Sequence, residues 1–231
     1  MAEKSSSLNS PASPAIGLEE DKPKGHLEIT LQRSYPTLCG IDEVGRGCLA
    51  GPVCAAAVIL DLPAILSLPK KDLALIRDSK KLSPAQRQKI IPVILRHTLD
   101  HQIAFATSAE IDQINILRGT FLAMKRAIGK LKMEPSMLLV DGNQRIPDLN
   151  LPQLPIIGGD GVTFSIAAAS ILAKEARDGY MAHLESKNPG YGFDKHVGYG
   201  TKYHLEAIMR LGVLEEHRKT FAPIAQLLNR P

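Results

Sequence analysis

Cysteine is scarce in this sequence, and long apolar runs are missing altogether. The three cysteines, Cys39, Cys48 and Cys54, form no CxxC pair and have no histidine nearby in the sequence. This pattern excludes a disulfide framework and argues against a structural zinc site, so we expect small buried thiols in a reducing compartment. No apolar run approaches the ~20 residues of a membrane span, and residues 1–25 lack the apolar core of a signal peptide. The sequence therefore predicts a cytoplasmic protein that does not associate with a membrane.

A strong charge of either sign is also absent. The net charge of the 231 residues is +4, with 44% hydrophobic and 23% charged residues, which is the composition of an ordinary globular protein. A mildly basic chain is compatible with a nucleic-acid partner but does not by itself indicate one. A chain of this length can bury one substantial core, so we expect one main domain and a monomer.

The order of polar and apolar segments predicts an α/β protein in three parts. Residues 1–34 are rich in Ser, Pro, Lys and Glu and predict a disordered tail. Residues 35–185 alternate predicted strands with predicted helices and form the main domain. Residues 186–231 contain two further predicted helices, at about 201–211 and 222–229. Within the main domain, the apolar runs 37–44 and 53–60 predict two strands joined by a Gly-rich turn.

Two helices of the main domain have clear sequence signals. Ser83 and Pro84 predict the start of a helix that reaches about His97, and Pro92 is expected to kink or divide it. The Ala-rich residues 162–184 carry apolar side chains at helical spacing and predict a long helix.

An acidic pair follows the first predicted strand. The stretch Cys39-Gly-Ile-Asp-Glu-Val-Gly-Arg-Gly-Cys-Leu-Ala-Gly-Pro52 places Asp42 and Glu43 ahead of Gly45-Arg46-Gly47. A buried strand that presents acids at its end, before a turn with little side-chain bulk, suits a metal ion that must meet a phosphate. Neighbours on a regular strand point to opposite faces, so the two acids can share one site only if the strand ends or bulges there. The alternative is a solvated acidic pair before an ordinary glycine turn.

Two further acids follow the same logic. Asp141 ends a short apolar strand, at the edge where open α/β sheets commonly bind ligands. Asp160 follows two glycines at the entrance to the long helix, where a favourable helix N-terminal charge is the alternative explanation. With Asp42 and Glu43 they make four oxygen ligands without Cys or His, a set that selects Mg²⁺ or Mn²⁺. Two divalent ions would neutralise such a cluster, one activating a water and the other stabilising the departing 3′ oxygen.

A series of motifs runs along residues 38–225: Gly40-Ile-Asp-Glu-Val-Gly-Arg-Gly47, Leu49-Ala-Gly-Pro-Val53, Asp78-Ser-Lys-Lys-Leu-Ser83, Val140-Asp-Gly-Asn143, Gly159-Asp160, Ile166-Ala-Ala-Ala-Ser-Ile-Leu-Ala-Lys174, Arg177-Asp178, Pro189-Gly-Tyr-Gly-Phe193, His196-Val-Gly-Tyr-Gly-Thr201, His217-Arg218 and Phe221-Ala-Pro223. In content and order they resemble the type 2 ribonucleases H, specifically bacterial ribonuclease HII. The resemblance implies a ribonuclease H-like fold, a central mixed sheet flanked by helices with a C-terminal helical extension. It also implies that Asp42, Glu43, Asp141 and Asp160 are the catalytic, metal-binding acids.

The resemblance further implies how a substrate would be recognised. Gly45-Arg46-Gly47 corresponds to the loop that recognises the 2′-hydroxyl of a ribonucleotide next to DNA. Tyr199 corresponds to the tyrosine that packs on the sugar at the RNA–DNA junction, with ordinary packing as its alternative role. These residue types fit that recognition. Glycine leaves backbone groups exposed, so that they can approach a 2′-hydroxyl closely. The planar guanidinium of an arginine can form two parallel hydrogen bonds with a phosphate.

The remaining candidate contacts with a phosphate backbone are Lys80, Ser170 and Lys174, together with Lys81, Ser165 and Arg177. A solvated charged face explains the lysine pair equally well, helix packing explains the serines, and an ion pair with Asp178 explains the arginine. We expect His196, His204 and His217 to pack or form hydrogen bonds, because a metal-bound water needs no dedicated histidine base.

The activity implied is an endonuclease that cuts the RNA strand of RNA–DNA hybrids and nicks 5′ to single ribonucleotides in duplex DNA. It would leave 3′-hydroxyl and 5′-phosphate ends and serve ribonucleotide excision repair and DNA replication. One alternative is a ribonuclease HIII type, which cuts hybrids but handles single ribonucleotides poorly; Arg46 and the low-complexity residues 1–34 argue against it. The other is a non-catalytic nucleic-acid-binding relative, against which the four retained acids argue. The choice between Mg²⁺ and Mn²⁺ and any sliding-clamp partner stay open.

Three positions depart from the family pattern. Cys48 replaces a usual proline, a change that should matter little to the chemistry. Gly159 and Val197 stand where lysine is common, so two cations are missing near the predicted site.

Overall fold

The described part of the chain, residues 22–229 of the computed structural model, alternates helices with strands. The helices are α1 (His26–Leu31), α2 (Leu62–Leu66), α3 (Lys70–Leu73), α4 (Pro84–Arg96), α5 (Ser108–Ile114), α6 (Ile116–Gly129), α7 (Gly159–Val162), α8 (Phe164–Lys187), α9 (Phe193–His196), α10 (Lys202–Leu211) and α11 (Ile224–Leu228). The strands are β1 (Leu38–Val44), β2 (Val53–Leu60), β3 (Thr98–Ala106), β4 (Met137–Asp141) and β5 (Gln153–Ile156). Within residues 22–229, no helix is long and apolar enough to cross a bilayer.

One five-stranded sheet organises these elements, in the order β3-β2-β1-β4-β5. β2 pairs antiparallel with β1 and β3, whereas β4 pairs parallel with β1 and β5. The predicted α/β class with a central mixed sheet is therefore confirmed. β2 is buried along its whole length, because helices cover both faces of the sheet, and this explains why residues 53–60 carry almost no polar side chain.

Two helical layers enclose the sheet. α4 and α8 pack on the face that carries Ala56 and Val58 of β2, while α6 packs on the opposite face. The N-terminal end of α8 lies directly against β1 at Gly40, where a Cβ atom would come within 2.2 Å of the Ser165 carbonyl carbon. Only a glycine permits this approach, so the start of α8 is held close to the strand that carries the first two acids.

The predicted C-terminal helical extension consists of α9, α10 and α11. It packs around Tyr191, Phe193 and Ile208 in a core that also includes residues from the end of α8. An isolated bridge between Ala50 and His217 joins the extension to the loop after β1. Residues from both parts of the chain therefore meet beside the predicted substrate-recognition loop.

The predicted disordered tail, residues 1–34, is wrong at its C-terminal end. Residues 1–21 lie outside the described residues, so the prediction there stays a prediction. Residues 26–31, however, form α1, and Glu28 is only 2% exposed. The polar composition of this segment gave no sign that one of its carboxylates would be buried against another helix.

Helix α4 begins as predicted but does not divide at Pro92. Ser83 forms a capping box with Gln86, and the helix then continues through the proline to Arg96. Ile90 and Ile94 are fully buried on either side of the proline. Their packing against the sheet stabilises the helix in spite of the missing backbone donor.

Candidate active site

Asp42 and Glu43 leave β1 on opposite faces of the sheet. β1 continues as a regular strand to Val44, with Asp42 opposite Ala56 and Glu43 opposite Ala55 of β2. Ala56 packs in the layer under α8 and Ala55 in the layer under α6, so Asp42 faces α8 and Glu43 faces α6. The strand end or bulge that would have placed both acids on one face is absent.

Asp141 lies at the same edge of the sheet as the two acids of β1, because β4 runs parallel to β1 and next to it. The pKa of Asp42 is raised well above its usual value by burial first and then by the charges of Glu43 and Asp141. Burial also raises the pKa of Glu43, with a further contribution from Asp141. The pKa of Asp141 is raised by burial and by the charge of Asp160. The four predicted acids are therefore electrostatic neighbours, with Asp141 at the centre.

Backbone donors orient two of these carboxylates. An Asp42 carboxylate oxygen accepts a hydrogen bond from the Glu43 amide at 2.7 Å, and an Asp141 oxygen accepts one from the Gly159 amide at 2.7 Å. The second bond fixes β4 to the turn that carries Asp160. A bond between a side chain and a backbone amide therefore joins the strand that carries Asp141 to the turn that carries Asp160.

Residues 22–229 contain no group of three His, Cys, Asp or Glu side chains already arranged to hold a metal ion. The donor chemistry of the four acids nevertheless fits a hard divalent cation, since every member offers carboxylate oxygens. All four have a raised pKa, caused mainly by burial together with the charge of at least one neighbouring carboxylate. A bound cation would offset this repulsion.

Two buried arginines hold the glycine loop, which we define as residues 45–52. The Arg218 guanidinium donates hydrogen bonds to the carbonyl oxygens of Gly45 (2.6 Å), Arg46 (2.7 Å) and Gly51 (2.9 Å). Arg177 donates to the carbonyl oxygens of three further residues: Ala50, Pro52 and Val197. Both arginines are fully buried, and their planar forks fix several carbonyl groups at once. The side of the loop with Arg46 and Gly47 is left exposed.

No local sequence pattern indicates that these arginines hold the glycine loop. Arg177 is fully buried and lies behind Gly45, whose φ is +96° and whose Cβ, if present, would be 2.1 Å from the Arg177 Nε atom. Neither of its predicted roles, phosphate contact or ion pair with Asp178, agrees with these contacts. Asp178 is paired with Lys174 and Arg87 instead.

Tyr199 stands next to the glycine loop. A Cβ atom at Gly47 would lie 3.8 Å from the Tyr199 Cε1 atom, and Tyr199 is 43% exposed. Burial raises the pKa of its hydroxyl, with a further contribution from the thiol of Cys48, which is free and buried like the other two cysteines. The ring therefore presents a partly exposed flat surface beside Gly47, although contact with a sugar stays a prediction.

Three of the predicted phosphate contacts, Lys80, Ser170 and Lys174, have different surroundings. Lys80 is exposed, and its charge lowers the pKa of Glu43, Asp141 and Asp160, which places it at the edge of the acidic cluster. Ser170 is buried and its hydroxyl lies 2.9 Å from that of Ser79. The Lys174 ammonium lies 2.6 Å from the Asp178 carboxylate. Lys80 is thus the candidate with the freest access to a substrate, whereas Ser170 and Lys174 already have protein partners.

A groove opens beside Glu43 on the α6 side of the sheet. Its lining includes Thr120 and Phe121 of α6 together with Asn143 and Gln144, which follow β4. None of these four residues was a predicted site residue. The apolar spacing of α6 predicts only a packed helix, and no sequence pattern indicates that this helix borders the acids.

The histidines of the C-terminal extension form a buried group away from the four acids. His204 and His217 are fully buried, and their Nε2 atoms lie 3.2 Å apart. The His196 ring stacks on the His204 ring at a centroid distance of 4.5 Å. These contacts agree with the expected packing and hydrogen-bonding role.

The contribution of His204 and His217 to the free energy of unfolding is expected to fall as the pH drops from 6.5 towards 4, whereas the buried acids with a raised pKa contribute in the opposite direction. Burial lowers the pKa of His204 and His217 from 6.5 to about 4, so in this interval the unfolded chain binds protons that the folded chain does not. The loss would reach about 3 kcal/mol for one histidine. Urea unfolding across this pH range measures it. The stability of His217→Gln relative to the wild type should rise as the pH drops, that of the exposed His183→Gln should stay constant, and a constant difference for His217→Gln would contradict the prediction.

Comparison with known proteins gives consistent matches. The family model Ribonuclease HII matches residues 39–223. The ribonuclease HII of Caldicellulosiruptor saccharolyticus is 48% identical over 194 residues, which cover 84% of this chain and 91% of the relative. The ribonuclease H2 structure from Pyrococcus horikoshii OT3 has a TM-score of 0.66 at 22% identity and covers 83% of this chain and 96% of that one. Bst-RNase HIII in complex with Mn²⁺ has a TM-score of 0.64 at 22% identity, covering 83% and 69%. These structural matches confirm the expected ribonuclease H-like fold.

Proposed function

The chain belongs to the ribonuclease HII family and is an endoribonuclease, and we propose that it nicks duplex DNA 5′ to single embedded ribonucleotides as well as cutting the RNA strand of RNA–DNA hybrids. Its products would carry 3′-hydroxyl and 5′-phosphate ends. Its role would be the removal of ribonucleotides from DNA and a part in replication, in the cytoplasm. The match to ribonuclease HII along residues 39–223 favours this activity over the hybrid-only ribonuclease HIII type.

The observation that carries the proposal is the contact between the acidic cluster and the glycine loop. The Arg46 guanidinium lies 3.6 Å from the Glu43 carboxylate and is half-exposed. The loop itself is held at its carbonyl oxygens by Arg177 and Arg218. A substrate sugar bound at Gly45-Arg46-Gly47 would therefore place its phosphate next to the acids that we assign to catalysis.

The proposed metal ligands are Asp42, Glu43, Asp141 and Asp160. Two Mg²⁺ or Mn²⁺ ions would, when bound, activate a water and stabilise the departing 3′ oxygen. The Mn²⁺ complex of the Bst-RNase HIII neighbour supports a divalent ion. The chain's own residues would do the remaining work: Arg46 orients the phosphate as a planar fork, and Tyr199 supplies a flat surface for the sugar.

A set of labelled duplexes tests the proposal. One duplex carries a single ribonucleotide, a second is an RNA–DNA hybrid and a third is all DNA, each incubated with Mg²⁺, Mn²⁺ or a chelator. We expect metal-dependent nicking 5′ to the single ribonucleotide, cutting of the hybrid and no cutting of DNA. Cutting of the hybrid alone would favour the ribonuclease HIII type, and binding without any cutting would refute catalysis.

Arg46→Ala is expected to reduce the preference for the ribonucleotide junction about tenfold or more, because a charge-assisted contact with the phosphate contributes about 1.5–3 kcal/mol. Binding of Mn²⁺ should not weaken, since the Arg46 charge lowers the pKa of Glu43 and thus already competes for that carboxylate. The ratio of cleavage rates at the junction and within a hybrid measures the first effect, and calorimetry with Mn²⁺ measures the second. Lys130→Ala, at an exposed position in the C-cap of α6, is the matched control. An unchanged preference would remove Arg46 from the recognition of the junction.

A further inference from the structure

The segment before the family-matched region binds the part of the chain that carries Asp160. We call residues 24–31 the N-terminal strap; they precede residue 39, where the family match begins. The Gly25 amide donates a hydrogen bond to the Val162 carbonyl oxygen at 2.9 Å. The strap thereby contacts α7, the single helical turn on which Asp160 lies.

Glu28 joins the strap to the first residues of α8. Its two carboxylate oxygens accept hydrogen bonds from the amides of Phe164 (2.7 Å) and Ser165 (2.9 Å). The first amides of a helix have no partner within the helix, and the positive end of the helix dipole favours an acid there. A residue 136 positions away in the sequence thus completes the start of α8.

Lys24 contacts the acid-bearing turn itself. Its ammonium donates a hydrogen bond to the Asp160 backbone carbonyl and lies 5.3 Å from the centre of the Phe164 ring. Because the bond is to the backbone, the carboxylate oxygens of Asp160 stay available to a cation. The Lys24 charge also offsets the repulsion between Asp160 and Asp78. The residue directly before Asp160 is Gly159, which has no side chain and supplies no charge of its own.

The start of α8 is therefore held from two sides. On one side β1 contacts Ser165 at Gly40, and on the other the strap bonds residues 160–165. Asp42 is carried by β1 and Asp160 by the turn that leads into α8. The distance between these two acids consequently depends on contacts that the strap provides.

We propose that the N-terminal strap is a positioning element for Asp160, in which Lys24 holds the acid-bearing turn and supplies a positive charge that Gly159 lacks. This inference rests on the proposed function, because it takes Asp160 to be a metal ligand. Lys24 acts through Asp160 and is not itself a metal ligand.

Calorimetric titration of the full-length, metal-free protein with Mn²⁺ tests the proposal, alongside kcat and KM on the duplex with one ribonucleotide. Lys24→Met removes the ammonium, Lys24→Arg keeps the charge, and Lys130→Met is a matched exposed control. We expect Lys24→Met to bind Mn²⁺ about tenfold more weakly and to have a lower kcat at an unchanged KM. The Lys24→Arg and Lys130→Met variants should stay close to the wild type.

The sign of the effect on Mn²⁺ binding is decisive. Removal of a nearby positive charge would by itself strengthen cation binding, so weaker binding reports lost positioning. Unchanged or tighter binding overturns the proposal, as does a raised KM with normal Mn²⁺ binding, which would make Lys24 a substrate contact. A lower melting temperature with normal Mn²⁺ binding would leave the strap a purely structural role and also overturns it.

Two further cases are covered by the same titration: a Lys24→Met variant that does not fold, and a wild-type protein that does not cut. If Lys24→Met does not fold, Glu28→Gln enters the same titration, because it weakens the strap at α8 while leaving Lys24 in place. If the wild-type protein binds Mn²⁺ but cuts none of the duplexes, the proposed function fails, and the titration still decides whether the strap positions Asp160.

Discussion

Asp42→Asn is expected to lower the cleavage rate about a thousandfold or more, because metal-assisted stabilisation of charge contributes several kcal/mol to such a reaction. The asparagine retains an oxygen that can accept the Glu43 amide hydrogen bond. Burial and the charges of Glu43 and Asp141 raise the pKa of Asp42, so the loss of this charge relieves repulsion in the metal-free protein. Activity should therefore collapse while the free energy of unfolding without metal rises.

Cleavage of the single-ribonucleotide duplex and urea unfolding in chelator measure the two effects on the same preparation. Asp148→Asn is the matched control, since its carboxylate is exposed and makes only a surface ion pair with Lys125, and it should keep full activity. An Asp42→Asn protein that still cuts at a rate near the wild type would remove Asp42 from the catalytic acids. A large loss of stability would show that its charge supports the fold.

Arg218→Met is expected to destabilise the protein by about 4 kcal/mol. The substitution leaves the carbonyl oxygens of Gly45, Arg46 and Gly51 without their guanidinium donor in a buried position, and each unsatisfied buried group costs about 1–3 kcal/mol. Because these carbonyls belong to the glycine loop, the variant should also lose preference for the ribonucleotide junction under conditions in which it stays folded.

Urea unfolding measures the loss of stability, and the ratio of junction to hybrid cleavage at low temperature measures the loss of preference. Arg96→Met, at the exposed end of α4, removes an equal charge from the surface and should change neither quantity. Arg218→Lys retains the charge but has no planar fork, so it should fall between the wild type and Arg218→Met. A stable Arg218→Met protein with normal preference would show that the loop holds its shape without this arginine.

The elements of the site that sequence reasoning found were those with a local signal. Asp42 and Asp141 each come directly after an apolar run in the sequence, and parallel strands place such residues at one edge of the sheet. Gly45 stands where only a glycine fits against a buried side chain. In each case, the neighbouring residues in the sequence were enough to predict the position of the residue. The order of the motifs along the chain then indicated the family.

The features of the site that the sequence did not predict depend on contacts between distant parts of the chain. Lys24 and Glu28 lie in a polar segment that resembles a tail by composition, and their contacts with residues 160–165 depend on the position of α8. The separation of Asp42 and Glu43 onto two faces follows from the regular pairing of β1 with β2. No local pattern specifies whether a strand continues for two more residues, because the partner strand decides it.

The bonds between Arg218 and the glycine loop also set an order of events during synthesis. Arg46 and Arg218 are 172 positions apart, and a growing chain folds from its N-terminal end as it is made. The strands and α8 can assemble while the C-terminal extension is still being translated, yet the loop lacks its bonds until Arg218 arrives. The glycine loop can therefore reach its fully bonded form only once the C-terminal extension is present, after the residues of all five strands have been made.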